Sequence, residues 1–586
     1  MEVSSDPKKP SQQVSRQKGG FRTMPFIIAN ESFEKVASYG LLANMILYLI
    51  RGYNLDSATG ASMLFLWSAV SNFMPILGAF LSDSYLGRFR VIALGSIASL
   101  LGMILLWLTA MFPHAKPPHC DSSSERCEPP TSAQLALLFF SFALMSIGAG
   151  GIRPCSLAFG ADQLDKPDNP NNERLLQSFF NWYYATVGVS IMVSVTVIVY
   201  IQEIWGWKVG LGVPAIFMFL SAILFLLGSS FYVKMKANKS LFTGFAQVLA
   251  VALKNKHLAL PAKNSDEWYH HKDSKLVAPT DKLRFLNKAC IIRNPDNKDL
   301  NSKSATVTCN VCTVEQVEEL KSLIKVMPIW STGIIIAVTI SQHAFPVLQA
   351  NTMDRHITSN FKIPPGSFSV FGILTLTIWV AIYDRLVVPL MAKITGRTNG
   401  LSLKQRMGIG LLLSCCATGV SAIVEGVRRR TAIDQGLLEN GYAMVNMSAM
   451  WLVPQHCLMG LAEAFNAIGQ INFYYSEFPK SMSSIGVALF TLGMAVGNLV
   501  ASLIVGIVDD ATKRGGKESW VSSNLNKGHY DYYYWLLTML GLVNFLYFLV
   551  CSWAYGSEGE ETRVLDDGEG KKEGGFNQSR DSPMIF

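Results

Sequence analysis

The sequence predicts an all-α membrane protein with twelve transmembrane helices arranged as two sets of six. Three observations carry that prediction. Half of the 586 residues are hydrophobic and only 16% are charged, a balance too apolar for a soluble chain of this length. Runs of about 20 mainly apolar residues, the length that crosses a hydrocarbon core, recur along the whole chain. A polar, basic stretch then divides these runs evenly.

The first set of spans falls at 26–50, 59–81, 91–113, 132–158, 177–202 and 210–233. The second falls at 323–348, 367–391, 405–427, 446–473, 482–508 and 531–555. Between them, residues 234–321 hold 15 Lys/Arg against 9 Asp/Glu, a surplus of six within a net charge of +8. Basic segments mark the cytosolic side, and twelve spans around an inner loop put both termini there too. Residues 1–24 are polar, with Lys8, Lys9, Arg16, Lys18 and Arg22 and no apolar stretch before a cleavage site, so no signal peptide is expected. The basic turn Gly87–Arg90 falls inside, as the rule requires. Arg428–Arg430, after span nine, falls outside against the rule and is expected to be a water-exposed extension of its helix. The predicted organisation is a cytosolic tail (1–24), a six-helix unit (25–233), a cytosolic central segment (234–321), a second six-helix unit (322–556) and a tail (557–586) with the low hydrophobicity of disorder.

Within the central segment, Ser240–Leu260 is apolar on one side and ends in Lys254 and Lys256. It is expected to be a helix lying on the inner membrane face or a short soluble one. Residues 264–309 are polar and expected to be mobile. Of ten cysteines, Cys120 and Cys127 flank an outer loop where a disulfide is permitted. Cys309 and Cys312 form a lone C-x-x-C without a second pair or histidines at ligand spacing, so no metal site is expected.

Span one is apolar from Pro25 to Ile50 except for Glu31, Glu34 and Lys35. A charge at bilayer depth costs roughly 2.5–3.5 kcal/mol on insertion scales, so these residues need partners or a water-filled cavity. Their i, i+3, i+4 spacing puts them on one helix face, with Glu31 and Lys35 in the favourable order for an ion pair. A mutually neutralised structural cluster is one reading. Two carboxylates against one ammonium leave a surplus acid, however, and a surplus acid in a dry site can carry a proton; the residues favour this second reading. Arg153, in the glycine-rich run Gly148-Ala-Gly-Gly-Ile-Arg-Pro-Cys of span four, stays charged and must be paired, with Glu31 or Glu34 as the natural partner. Glu463 in span ten has largely apolar sequence on both sides, which makes it a second titrating site or part of a substrate cavity. Span seven offers Gln342 and His343, although a lone membrane histidine more often packs than switches.

Corresponding turns carry an acid followed by basic residues in the two halves: Asp83 to Arg90, with Gly87 and Arg88, and Asp384-Arg385 followed by Gly396-Arg397. Duplicated halves with a site between them are typical of secondary transporters. No phosphate-cradling G-x-x-x-x-G-K-[ST] and no nucleophile motif is found, so neither ATP driving nor an enzyme is expected.

At these residues the chain resembles the plant nitrate and peptide transporter family, the plant branch of the proton-dependent oligopeptide transporters within the major facilitator superfamily. The similarity runs from Pro25 to Gly556. It rests on Glu31-x-x-Glu34-Lys35 in place of E-x-x-E-R, on GAFLSDSYLGRFR from Gly78, GGIRPC from Gly150, FFNWYY from Phe179, DKLRFLNKA from Asp281, CTVEQVEELK from Cys312 and the Pro479-x-x-Met482 turn. The resemblance implies two six-helix bundles, alternating access and a cavity lined by helices one, four, seven and ten. It implies proton coupling through the first-helix motif paired with Arg153, and a cavity-facing Glu463. Three departures bear on substrate. Ile340 stands where the best-known nitrate carriers have a histidine two residues before the glutamine, with His343 one turn further on. Val91 replaces a threonine whose phosphorylation switches affinity, so that switch should be missing. Lys35 and Ser38 break the pattern with which peptide carriers clamp a carboxylate, leaving Tyr39.

The expected function is a proton-coupled symporter that imports nitrate with low affinity across a plant plasma membrane. Alternatives are the same machine carrying a larger organic anion, such as a hormone or glucosinolate, or peptides, and, in another class, a membrane sensor that moves nothing. The expected site comprises Glu31, Glu34, Lys35 and Arg153 for proton coupling, Tyr39, Ile340, Gln342, His343 and Glu463 for the cavity, and Asp83, Gly87 and Arg88 at the gating turn. The expected partners are a small anion, protons and the bilayer. No cofactor, metal or nucleic acid is expected, and the sequence sets no oligomeric state.

Overall fold

The computed structural model describes residues 19–118, 128–164, 172–235, 241–261, 268–269, 278–292, 311–395, 400–441, 443–479 and 482–556. Ten helical stretches are long and apolar enough to span a membrane. One of them, Arg174–Ser230, has 57 residues. At 1.5 Å per residue a straight helix of that length is about 85 Å long, nearly three times a hydrocarbon core of about 30 Å. It is broken at Gly206, whose φ of 73° lies in the left-handed region, and so makes two spans. A further helix, Val453–Glu477, is long enough to cross, but His456, Glu463, Asn466 and Gln470 lower its hydropathy. The sum is twelve.

The first half contains α1 (Met24–Tyr53), α2 (Ser57–Leu81), α3 (Arg88–Met111), α4 (Ser132–Leu164), α5 (Asn172–Val193) and α6 (Val199–Leu227). Local sequence sets their ends. The α1 chain leaves its helix through Asn54 in the left-handed conformation, and Asp56 caps α2 by accepting from the Thr59 amide. Small residues let α2, α3 and α4 touch backbone to backbone: a Cβ on Gly78 would lie 1.8 Å from the Gly150 carbonyl oxygen. α1 packs along α6 and α5, and α3 along α4 and α6.

After α7 (Leu241–Lys254), the second half contains α8 (Val314–Ile340), α9 (Ala344–Thr352), α10 (Ser369–Ile382), α11 (Val388–Thr395), α12 (Leu403–Asp434), α13 (Val453–Glu477), α14 (Ser483–Thr512) and α15 (Tyr530–Tyr555). α12 packs on α13 and α15, α10 on α13, and α14 on α8, while α2 lies along α14 as the main seam between halves. Span seven is α8 plus α9, interrupted at residues 341–343. Spans two and eight each carry a wide π turn, Ser82–Leu86 and Tyr383–Val387, so the acid-bearing turns of the two halves share a backbone form as well as a sequence pattern.

Two expectations need correction. Arg428 is not a water-exposed residue beyond span nine: α12 continues to Asp434, and Arg428 is 0% exposed. Its Nε and Nη2 donate to the two oxygens of Glu425 at 2.8 Å each, and its Nη1 to Asn526 Oδ1 at 2.8 Å. A buried acid one turn away neutralises it, and the basic run therefore says little about topology. The described part of the polar stretch 264–309 is also packed instead of mobile: residues 286–290 form a 3₁₀ turn whose Leu286, Ala289 and Cys290 are buried. α7 turns Phe245, Val248, Val251 and Ala252 into the same cluster with Val314 and Val317 of α8. One side of its apolar surface is thus covered by protein, while Leu249 and Leu253 on the other side stay exposed. Cys120, Cys127, Cys309, Gly396, Arg397 and the C-terminal tail lie outside the described residues.

The end of the molecule away from the start of α1 is here termed the distal side, and there a strap ties the halves together. β1 (Met353–Asp354) pairs in parallel with β4 (Val445–Ser448), and β2 (His356–Thr358) pairs with β3 (Phe361–Lys362). Arg355 Nη1 donates to Glu203 Oε1 at 3.1 Å and to the Ile363 carbonyl at 3.1 Å. Arg51 donates to Asn351, the Gly366 amide to Asn44, and the Ser57 amide to Ser523. Phe65 of α2 meets Phe345 of α9 edge to face.

Candidate functional site

α1 is clamped before its charges are considered. Asn30 Nδ2 donates to Ser221 Oγ of α6 at 2.8 Å, Ser194 Oγ donates to the Val36 carbonyl at 2.8 Å, and Gln202 Nε2 donates to the Gly40 carbonyl at 2.9 Å. The helix face that results turns Glu31, Glu34 and Lys35 into the half, where they are 3%, 0% and 9% exposed.

Lys35 Nζ lies between the two acids, 3.2 Å from Glu31 Oε1 and 3.4 Å from Glu34 Oε2. Arg153 Nε comes from α4 to within 3.7 Å of Glu34 Oε1. The close approach of the α4 glycines to α2 and α3 is what holds that guanidinium beside α1. Ser38 Oγ donates to Glu34 Oε1 at 2.7 Å. Tyr39 lies within electrostatic reach of Lys35 and Arg153, and Tyr183 of α5 faces Glu31. The second oxygens of both acids and Arg153 Nε are buried without a hydrogen bond. Two acids therefore face two bases in a cluster with spare bonding capacity. Neither Ser38 nor Tyr183 was among the expected site residues: Ser38 entered only as a departure from the peptide-carrier pattern and Tyr183 only within FFNWYY, and a serine four residues after Glu34 was the available signal.

In the second half, Glu463 sits on α13 with no ion pair or hydrogen bond among the described residues. Below it Asn466 Nδ2 donates to the Met407 carbonyl, Gln470 Nε2 to Asn466 Oδ1, and Tyr474 to Gln470, so α13 carries a polar ladder with the glutamate at its upper end. Ile340 ends α8. His343 lies in the break before α9, its Nε2 buried without a partner. Gln342 does not join this group: its Nε2 donates to the Val338 carbonyl, and its Oε1 accepts from Tyr533 of α15, which makes it a packing residue that secures the break. At the turn after α2, Gly87 adopts φ 78°. Arg88 Nη1 reaches Asp162 Oδ1 at 2.6 Å and Arg88 Nε lies 3.9 Å from Asp83, linking the α2–α3 turn to the end of α4. Among the described residues no group of three or more His, Cys, Asp or Glu is placed to hold a metal ion.

A profile of the POT family, PTR2, matches residues 89–521. Protein NRT1/ PTR FAMILY 1.2 of Arabidopsis thaliana is 56% identical over 555 residues, covering 94% of this chain and 91% of its own. The chain belongs to the POT family. Its relatives place it in the plant NRT1/PTR branch, another being Protein NRT1/ PTR FAMILY 1.1 of the same plant, 56% identical over 94% of this chain and 93% of its own. The POT fold is seen directly in the crystal structure of an auto inhibited POT family peptide transporter, which superposes with a TM-score of 0.67 over 91% of this chain and 96% of that one at 19% identity. The all-α major facilitator architecture and a proton-coupled transporter role, not an enzymatic one, follow from membership.

Proposed function

We propose that this POT-family protein is a nitrate symporter of low affinity in the plant plasma membrane, with Glu31 and Glu34 as its proton-coupling acids and Lys35 and Arg153 as its anion-binding bases. One observation carries the reading: two buried carboxylates and two bases meet in a single cluster, with Lys35 shared between both acids. Each proton taken up releases a cation from an internal partner. The freed ammonium or guanidinium then binds an anion in place of the carboxylate, so proton and anion binding are one linked event. The energetics call for this coupling, because one anion entering an inside-negative cell costs about 2.3 kcal/mol per 100 mV, and two accompanying protons reverse the sign. Glu463 supplies a further titratable group on the opposing half, and Tyr39, Ile340 and His343 line the remaining cavity.

In this reading the start of α1 and the central segment are cytosolic, the units 25–233 and 322–556 rock about the α2–α14 seam, and the strapped distal side is extracellular. The conformation is then inward-facing. The turn at Asp83, Gly87 and Arg88 acts as an inner gate element. Glu31→Gln or Glu34→Gln is expected to abolish pH-driven nitrate uptake in oocytes, and undiminished proton-driven current in either variant would sink the mechanism.

A larger organic anion is the second reading, favoured by Ile340 in place of a histidine donor and by Glu463 having no ion pair or hydrogen bond among the described residues. Competition between labelled nitrate and organic acids separates the two. Lack of nitrate-evoked current at acidic pH, with uptake of an organic acid retained, decides for the second.

A further inference from the structure

Hydroxyls inside the spans follow a common habit. Those of Ser141, Ser146, Ser156, Ser341 and Ser421 donate to a backbone carbonyl three or four residues back on the same helix, the usual outlet for a hydroxyl without water at hand. Ser38 departs from it. Its Oγ donates at 2.7 Å to the side chain of Glu34, on the oxygen that also faces Arg153, and a hydrogen bond to a carboxylate is roughly twice as strong as one between neutral groups.

The two acids of the cluster are consequently held unequally. Glu34 has Ser38 and Arg153 on Oε1 and Lys35 on Oε2, from two helices. Glu31 has a single cation, Lys35 at 3.2 Å, and the Tyr183 hydroxyl of α5 within side-chain hydrogen-bonding reach; the second oxygens of both acids are buried without a further partner. Tyr39 lies within electrostatic reach of both cations.

We infer that Ser38 is a positioning residue: its hydroxyl fixes the Glu34 carboxylate on Arg153 as the standing counter-ion of the site and leaves Glu31 as the carboxylate that loads and releases the proton. The inference rests on the proton-coupled reading above. Once the hydroxyl is gone, the Glu34 carboxylate is free to turn away from Arg153, and Glu34 competes with Glu31 for the same proton.

The test is infrared difference spectroscopy of the full-length protein in lipid vesicles, following the C=O stretch of a protonated carboxyl between neutral and mildly acidic pH. All proteins carry Glu463→Gln so that the second half does not contribute. The expected result is a titrating carboxyl band that disappears in Glu31→Gln and persists in Glu34→Gln. In Ser38→Ala the band gains amplitude and its midpoint rises by about half to one pH unit, while Ser38→Thr, which keeps the hydroxyl, behaves as the parent. A band lost in Glu34→Gln instead, or a Ser38→Ala spectrum identical to the parent, overturns the assignment. The parent separates the two failures: no titrating carboxyl band there removes the proton-coupled reading itself, whereas a parental band unmoved in Ser38→Ala removes the role of Ser38 alone.

Discussion

The ion pair between Glu203 and Arg355 joins the two halves only while the distal side is closed, so Glu203→Gln is expected to shift the conformational equilibrium toward a distal-open state. The structure sets the size of the effect. Arg355 is 5% exposed and the Glu203 side chain 29%, which places the pair between two measured limits. Exposed pairs contribute about 0.2–1 kcal/mol, and removing one partner of a fully buried pair costs about 3–5 kcal/mol. A value of about 1–2.5 kcal/mol follows for a half-buried pair at 3.1 Å, equivalent to about a 5- to 70-fold change in the closed-to-open ratio. Arg355 keeps its bond to the Ile363 carbonyl, so the guanidinium stays in place and loses only its counter-charge. Spin labels at Thr131 and Lys517, exposed positions on the distal ends of the two halves, report the ratio through their distance distribution in vesicles. The longer-distance population is expected to grow in Glu203→Gln, and the double variant Glu203→Gln/Arg355→Gln to open no further, since the buried charge left unpaired by the single change is then gone. An unchanged distribution in Glu203→Gln, or singles that simply add in the double, refutes the reasoning.

Other consequences are testable by simpler means. Glu425→Gln leaves the fully buried Arg428 without its bidentate acid and is expected to cost about 3–5 kcal/mol, read as a lowered thermal unfolding temperature in detergent, whereas Glu425→Gln/Arg428→Met should recover most of it. Gly78→Ala drives a Cβ onto the Gly150 carbonyl and is expected to abolish uptake by separating α2 from α4; Gly426→Ala, with nothing within 4 Å of the added carbon, is expected to gain up to about 1 kcal/mol from helix propensity and leave uptake intact. Asp354 sits below its ordinary value of 3.8 because the His356 side chain, and then its backbone amide, donate to the carboxylate. A depressed carboxyl contributes while the pH is above its unfolded value and is lost only as the pH falls through the folded one, so the protection factors of amides 353–363, taken relative to intrinsic exchange at each pH, should not fall across the acidic range used for transport. Sensitivity there would assign part of any pH-dependent transport to the strap.

Much of this architecture was legible in the chain because apolar runs of span length depend on the bilayer alone. Even α13, whose polar residues depress its hydropathy, was readable as a span, and Glu463 among them made it a candidate for the site. The pairing of Arg153 with Glu34 was legible for a related reason: a charge that cannot be neutralised in a dry interior has few possible partners. Arg428 was misread because the positive-inside rule counts cations without their counter-ions, and Glu425 lies on the same helix one turn earlier. Residues 286–290 depart from the expected mobility because polarity averaged over 264–309 hides Leu286, Ala289 and Cys290, which are buried together although Asn287 and Lys288 stand between them. The strap, the break in span seven held by Gln342 and Tyr533, and the direction of the Ser38 hydroxyl were not legible, since each depends on which residues distant in sequence, or which rotamers, meet in the folded chain.

The choice of lysine at position 35 gains meaning from that geometry. An ammonium is a compact point charge with donors that rotate, whereas a guanidinium is a planar fork that commits to one carboxylate. Nζ sits 3.2 and 3.4 Å from the two acids, a nearly even division that a single point charge achieves without choosing. Neutralising Glu31 therefore need not strand Lys35, which can move fully onto Glu34 or onto an incoming anion. Glu34, already held by Ser38 and Arg153, has the lesser need of it. In the proposed mechanism, the uneven holding of the acids and the even sharing of the lysine would make a substrate anion the natural replacement for a proton-neutralised Glu31, with the proton and the anion exchanging at one nitrogen.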